Sequence, residues 1–292
     1  LPDSVEVEGN VFSVKYTDGT DAPYSIVSTK NGMAVRHSVN SDKMTREIVV
    51  QVFDAEGNPL TKALTISVRA YAQELLAITQ NPVEKALIIR MLDYGALAQL
   101  YVDPDATDLA NSIVTDDLRK FINDYEMADP EAFQSNLTST EGVFSANLTL
   151  NESIDMNIYT NIGHIGEGEE LVVMMDGQVL AESRYQKTMA ANGDICIRYS
   201  FNADTMNKEL TVAIVDSDGN VRVRLPLSIR TYAHVCINTY ADNATLRAML
   251  IAMLDYGALA QLYANTNTDD LANCYVTADL RSELNDYFRP EN

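Results

Sequence analysis

Oxygen-bearing side chains recur at alternate positions in two stretches of this chain, Asp103-x-Asp105-x-Thr107-Asp108-x-x-Asn111 and Asn265-x-Asn267-x-Asp269-Asp270-x-x-Asn273. Such spacing can turn several oxygens toward one hard cation, which makes Asp103, Asp105, Asp108, Asn265, Asn267 and Asp269 candidate calcium ligands. The glycine and the terminal bidentate Glu of an EF-hand loop are missing, and Asx turns joining two helices account for the same residues without a metal. No other cofactor is implied.

A second kind of chemistry centres on Asp93 and Asp255. Each interrupts an apolar stretch, and a buried carboxylate is expensive unless a cation neutralises it. Two cations occur near matching places in both halves: Arg69 with Arg230, and Arg119 with Arg281. The expectation is a pair of structural ion bridges, Asp93 with Arg69 and Asp255 with Arg230. The sharper alternative is catalytic carboxylates of the glycosidase kind, which leave no short signature. His37, His164 and His234 share no repeated position, and no nucleophile-elbow, zinc-protease, P-loop or dinucleotide-binding run is present. No catalytic residue is assigned, and the chain reads as a non-enzyme. Cys196, Cys236 and Cys274 answer to Ala34, Leu75 and Ser112, and an odd count without C-x-x-C spacing fits free buried thiols, with a Cys236–Cys274 bridge as the alternative.

The elements that would hold these residues are repeated. Met91-Leu92-Asp93-Tyr94-Gly95-Ala96-Leu97-Ala98-Gln99-Leu100-Tyr101 returns letter for letter as Met253 to Tyr263. Leu87, Ile88, Met91, Leu92, Gly95, Ala98 and Tyr101 fall at three- and four-residue intervals, while Ile89, Ala96, Leu97 and Leu100 add apolar surface on the other sides. A helix apolar nearly all round is a central one. Pro82 after Asn81, and Asp242, Asn243 and Thr245 ahead of Leu246, mark the two starts. Gly95 and Gly257 sit inside helices at a penalty of about 1 kcal/mol against Ala, so a neighbouring backbone is expected to pass close to each.

Ahead of each helical region the pattern is β-like. Val5 to Val7 and Val11 to Tyr16 read as a hairpin through Gly9-Asn10, followed by Tyr24 to Val27, Met33 to Val39, Arg46 to Phe53 and Leu64 to Val68. Helices are expected over 69–78, 83–101 and 115–125, then over 230–240, 246–263 and 277–288. Gly142 to Leu150 and Ser153 to Tyr159 are two alternating strands with no counterpart before Val5. Strands followed by helices define an α+β fold. The expectation is a tandem repeat of two modules, residues 1–126 and 140–292 joined by a linker over 127–139, each an antiparallel β-sandwich-like (Ig-like) sheet followed by a helical cap of about three helices.

Lys and Arg total 21 against 42 Asp and Glu, a net charge of −21 that repels phosphate backbones and anionic membrane surfaces and so excludes nucleic acid as a partner. No run of eighteen apolar residues occurs, so no membrane insertion is expected. A start at Leu1 without an initiator Met fits an exported chain whose signal has been removed. Tyr94, Tyr101, Tyr256 and Tyr263 could line a sugar platform, although their place on a core helix favours packing.

At Val68-Arg69-x-Tyr71-Ala72, Met91 to Tyr101 and Thr107-Asp108-Leu109-Ala110-Asn111, and again at Ile229 to Ala233, Met253 to Tyr263 and Asp269 to Asn273, the chain resembles a module of large secreted and cell-wall-attached surface proteins of gut-dwelling Gram-positive anaerobes. There the module sits beside Ig-like or leucine-rich repeat regions. The resemblance covers the helical part of each half; the strands match only in pattern. It implies an extracellular or wall-attached location and a non-catalytic adhesive, scaffolding or protein-interaction role, with a protein or glycan at the cell surface as partner. It carries over no functional residues. A carbohydrate-binding module is the alternative, and a glycoside hydrolase using acidic residues a further one.

Overall fold

The computed structural model describes residues 11–30, 32–111, 142–150 and 153–273. The expected strand at Val5, the linker over 127–139, the helices over 115–125 and 277–288, and Cys274 lie outside the described residues. Within them the fold is α+β, with four antiparallel sheets and four α-helices.

In the N-terminal half β1 (Val11–Tyr16) pairs with β4 (Ile48–Phe53), and β4 pairs with β5 (Leu64–Ile66), while β2 (Ser25–Thr29) and β3 (Gly32–Arg36) form a separate hairpin. The turn after β4 closes because Asp54 accepts the Asn58 amide at 2.7 Å and Gly57 takes φ +84°, a conformation that favours glycine.

The C-terminal half holds two four-stranded sheets. One is ordered β10 (Gln186–Met189), β11 (Asp194–Phe201), β7 (Ile154–Asn161), β6 (Ser145–Leu150); the other β13 (Val221–Leu227), β12 (Leu210–Val215), β8 (Glu170–Met175), β9 (Gln178–Val179). Met156, Ile158, Ile195 and Ile197 from the first sheet share one core with Val173, Val212, Ile214, Val223 and Leu225 from the second. Every residue of β12 is buried, as befits an apolar strand covered on both faces. Pro226 is tolerated in β13 because that strand lies at a sheet edge. Two such sheets sharing a core are compatible with a β-sandwich flanked by helices.

The helices start where the sequence marks them. Ser67 caps α1 (Val68–Ile78) by accepting the Ala70 amide, and Ser228 and Thr231 cap α3 (Ile229–Thr239) reciprocally. Asn81 accepts the Val83 and Glu84 amides at the head of α2 (Pro82–Val102), with Pro82 in the first turn, and Asn243 accepts the Leu246 amide at the head of α4 (Ala244–Ala264). None of the described helices is long and apolar enough to cross a membrane.

The two copies of the repeated segment pack on each other. The Tyr263 hydroxyl, in the last turn of α4, donates to Glu84 in the first turn of α2 at 3.4 Å, and Tyr94 stacks on Tyr256 at mid-helix, so α2 and α4 run antiparallel. Ala86 of α2 shares a second small core with Ala258, Leu259 and Leu271. A helix apolar on all sides has two faces to cover. Residues of the chain's own half cover one, and the other copy covers the second.

Candidate functional site

The chemistry-bearing residues of the repeated helices meet at this helix pair. Asp93 is fully buried and Asp255 almost so, in keeping with carboxylates on the core side of a central helix. The expected bridges to Arg69 and Arg230 do not form. Arg69 instead bonds Asp108 and, at 3.0 Å, the Leu109 carbonyl; Arg230 bonds Asp270 and, at 2.9 Å, the Leu271 carbonyl. Both arginines sit at the heads of α1 and α3, where they tie down the loop that leaves the long helix.

Asp93 meets the buried Arg90, whose Nη1 lies 3.1 Å from Oδ2, and the same guanidinium reaches across the helix pair with Nε 3.9 Å from Asp255 Oδ2. Asn111 donates to Asp93 Oδ1 at 2.6 Å, and Asn273 donates to Asp255 Oδ1 in the matching way. Arg90 has no counterpart, because Ala252 holds that place in α4. A search for a cation present in both copies therefore passes it over, although one cation at the contact between two copies can serve both carboxylates. Arg119 and Arg281 lie outside the described residues.

The loops after α2 and α4 are fastened in the same manner. Gln99 accepts the Ala110 amide at 2.7 Å and donates to the Asp108 carbonyl at 3.0 Å. Gln261 accepts the Ala272 amide at 2.7 Å and donates to the Asp270 carbonyl at 3.1 Å. Of the proposed cation ligands, Asp103, Asp108, Asn265 and Asn267 are placed by local contacts or turn geometry. Asp103 closes an Asx turn on the Asp105 amide at 3.1 Å, Asp108 faces Arg69, and Asn265 and Asn267 adopt left-handed backbone conformations with φ of 54° and 44°. Burial pushes the Asp270 carboxyl up, but hydrogen bonds and charge from Arg230, with Asn207, hold it below the usual carboxylate range. Among the described residues no group of three or more His, Cys, Asp or Glu is gathered to hold a metal.

Gly95 and Gly257 are close-approach points, though mainly to side chains. A Cβ on Gly95 would lie 2.5 Å from Met44 Sδ; on Gly257 it would lie 2.6 Å from Met206 Sδ and also 3.2 Å from the Ala203 carbonyl oxygen. A backbone is thus among the nearest neighbours at Gly257, whereas Met44 and Ala110 side chains supply them at Gly95.

Tyr94 and Tyr256 do not form a sugar platform. Their rings stack on each other, centroids 6.4 Å apart and planes 15° from parallel, and burial pushes the Tyr94 phenol up to about 12 and raises that of Tyr256. Tyr101 and Tyr263 are half-exposed, at the far ends of antiparallel helices. His234 is buried, and its pKa is lowered to about 4 by burial and by Arg230. Cys196 and Cys236 are free thiols, both raised by burial. No family model matches the chain, and no curated protein matches it.

Proposed function

We propose that the chain is a non-catalytic extracellular surface module with an adhesive, scaffolding or protein-interaction role, built as a tandem pair of units over residues 1–126 and 140–292. The observation that supports this reading is the engagement of the repeated polar residues with one another. Asp93, Asp255, Arg90, Gln99 and Gln261 join helices and loops inside the protein, as residues of a rigid spacer or display platform do. The sequence resemblance supports a wall-attached or secreted location in a Gram-positive anaerobe, and the charge of −21 suits a solvated, self-repelling exterior.

Antibody raised against the chain, applied to fractionated source cells, is expected to label the wall or culture medium. Confinement to the cytosol would overturn the location. Incubation with a panel of glycosides is expected to release no sugar, and turnover that vanishes in Asp93→Asn would replace the scaffold reading with an enzyme.

A further inference from the structure

Side chains alternate along β11 between the two faces of its sheet. Ile195 and Ile197 enter the shared core, so Cys196, Arg198 and Ser200 lie on the outer face. The strand registers carry that face across all four strands. Arg198 has Gln186 of β10 on one side and Asn157 of β7 on the other, and Asn157 faces Asn147 of β6, so three amides and a guanidinium form one row. Ser200, Asp155 and Thr149 make the next row on one side, and Thr188, Cys196, Tyr159 and Ser145 the next on the other.

Arg198 is anchored at a single nitrogen. Its Nε donates to Asn157 Oδ1 at 2.8 Å, and Asn157 Nδ2 donates to Asn147 Oδ1 at 2.9 Å and to Thr149 Oγ1 at 2.7 Å. Asn157 is 1% exposed and uses both its donors and its acceptor, which makes it a rigid anchor. Arg198 itself is exposed, and among the described residues it has no other hydrogen bond and no ion pair. The acids of this face are already engaged: Asp155 accepts the Ser153 hydroxyl at 2.6 Å, and Asp194 accepts Asn161 at 2.7 Å and Asn192 at 2.6 Å. Gln186, Thr188 and Ser200 are exposed around Arg198 and make no side-chain hydrogen bond among the described residues. The N-terminal half keeps an arginine and a serine at the same places, Arg36 and Ser38, both exposed.

We propose that the outer face of the β10–β11–β7–β6 sheet binds a glycan bearing one carboxylate, with Arg198 taking the carboxylate. With Nε committed to Asn157, the guanidinium offers its two terminal nitrogens outward, a fork that matches the two oxygens of a carboxylate. Orientation by Asn157 ahead of binding lowers the ordering cost that an exposed arginine otherwise imposes. Gln186, Thr188 and Ser200 supply the donors and acceptors that sugar hydroxyls need, whereas these rows hold no apolar pocket for a peptide side chain. The net charge of −21 repels a polyanion, but that repulsion is screened within about 8 Å at physiological salt. A single acidic sugar on an otherwise neutral glycan is therefore the ligand that Arg198 selects at short range.

This inference rests on the adhesive reading for the kind of partner, and its test reads binding and not turnover. p-Nitrophenyl β-D-glucuronide, titrated into the full chain and followed by NMR, is expected to bind saturably and about tenfold more tightly than p-nitrophenyl β-D-glucoside, which carries a hydroxymethyl group in place of the carboxylate. Arg198→Gln is expected to erase that preference. Arg198→Lys, which keeps the charge and loses the fork, is expected to retain only part of it. Absence of saturable glucuronide binding, equal affinity for the two glycosides, or a preference that survives Arg198→Gln would overturn the proposal. So would equally tight binding of N-acetylalanine, a carboxylate without a sugar ring. Each of these results leaves the non-catalytic reading to stand or fall on the glycoside-release assay.

Discussion

Replacing Arg90 with Met removes the cation that touches both buried carboxylates and keeps most of the side chain's volume. Arg90 and Asp255 are each 5% exposed and Asp93 is 0% exposed, so water does not reach the charges left behind. Removing one partner of a buried pair costs about 3–5 kcal/mol, because the carboxylates stay desolvated and lose a cation that offset them. At about 2–4 °C per kcal/mol for a chain of this size, the midpoint of a thermal melt followed by far-ultraviolet circular dichroism falls by roughly 6–20 °C. The triple variant Arg90→Met, Asp93→Asn, Asp255→Asn separates charge from packing. It keeps donors and acceptors for Asn111 and Asn273 without any net charge, and should recover more than half of the loss. A single-variant loss under about 1 kcal/mol, the range of an exposed ion pair, would refute the reasoning. A triple variant no more stable than the single one would count against the charge account.

Other perturbations have definite signs. Gly257→Ala gains about 1 kcal/mol of helix propensity but pushes against Met206 and the Ala203 carbonyl, for a net loss of about 1–3 kcal/mol, whereas Gly95→Ala meets only side chains nearby and should be close to neutral in denaturant titrations. His234 has its folded pKa lowered to about 4 against about 6.5 unfolded, so the unfolded chain binds the proton first; stability holds above pH ~6.5 and falls by about 3 kcal/mol as pH drops toward ~4. That slope should be smaller in His234→Gln, which installs the residue found at the corresponding position, Gln73; equal slopes in both proteins would contradict it. Millimolar calcium should leave the melting midpoint unchanged, since Asp108 and Asp270 already face Arg69 and Arg230; a rise reversed by chelator would restore the cation reading.

Much of the fold is legible in local patterns. Asn81-Pro82 and Asn243 fix the helix starts, and Asp54 to Asn58 and Asp216 to Asn220 fix the two turns, because short-range hydrogen bonds and glycine φ values decide these features. What covers an apolar face is a long-range matter. The all-round apolarity of Met91 to Tyr101 shows that this helix is buried, and leaves open that its twin is one of the things burying it. The same limit hid Arg90. Matching residues between copies finds Arg69 and Arg230, but a cation at the contact between two copies need occur only once. Both expected bridges thus had the right carboxylates, buried as foreseen, and the wrong arginines.

The most direct test of the pairing of α2 with α4 is hydrogen exchange by mass spectrometry, read on peptides covering 91–101 and 253–263 across a urea series. Packed against each other, the two segments should lose protection at one urea concentration, and Arg90→Met should move both transitions together by the same amount. Separate transitions, with Arg90→Met shifting only the 91–101 segment, would contradict the pairing.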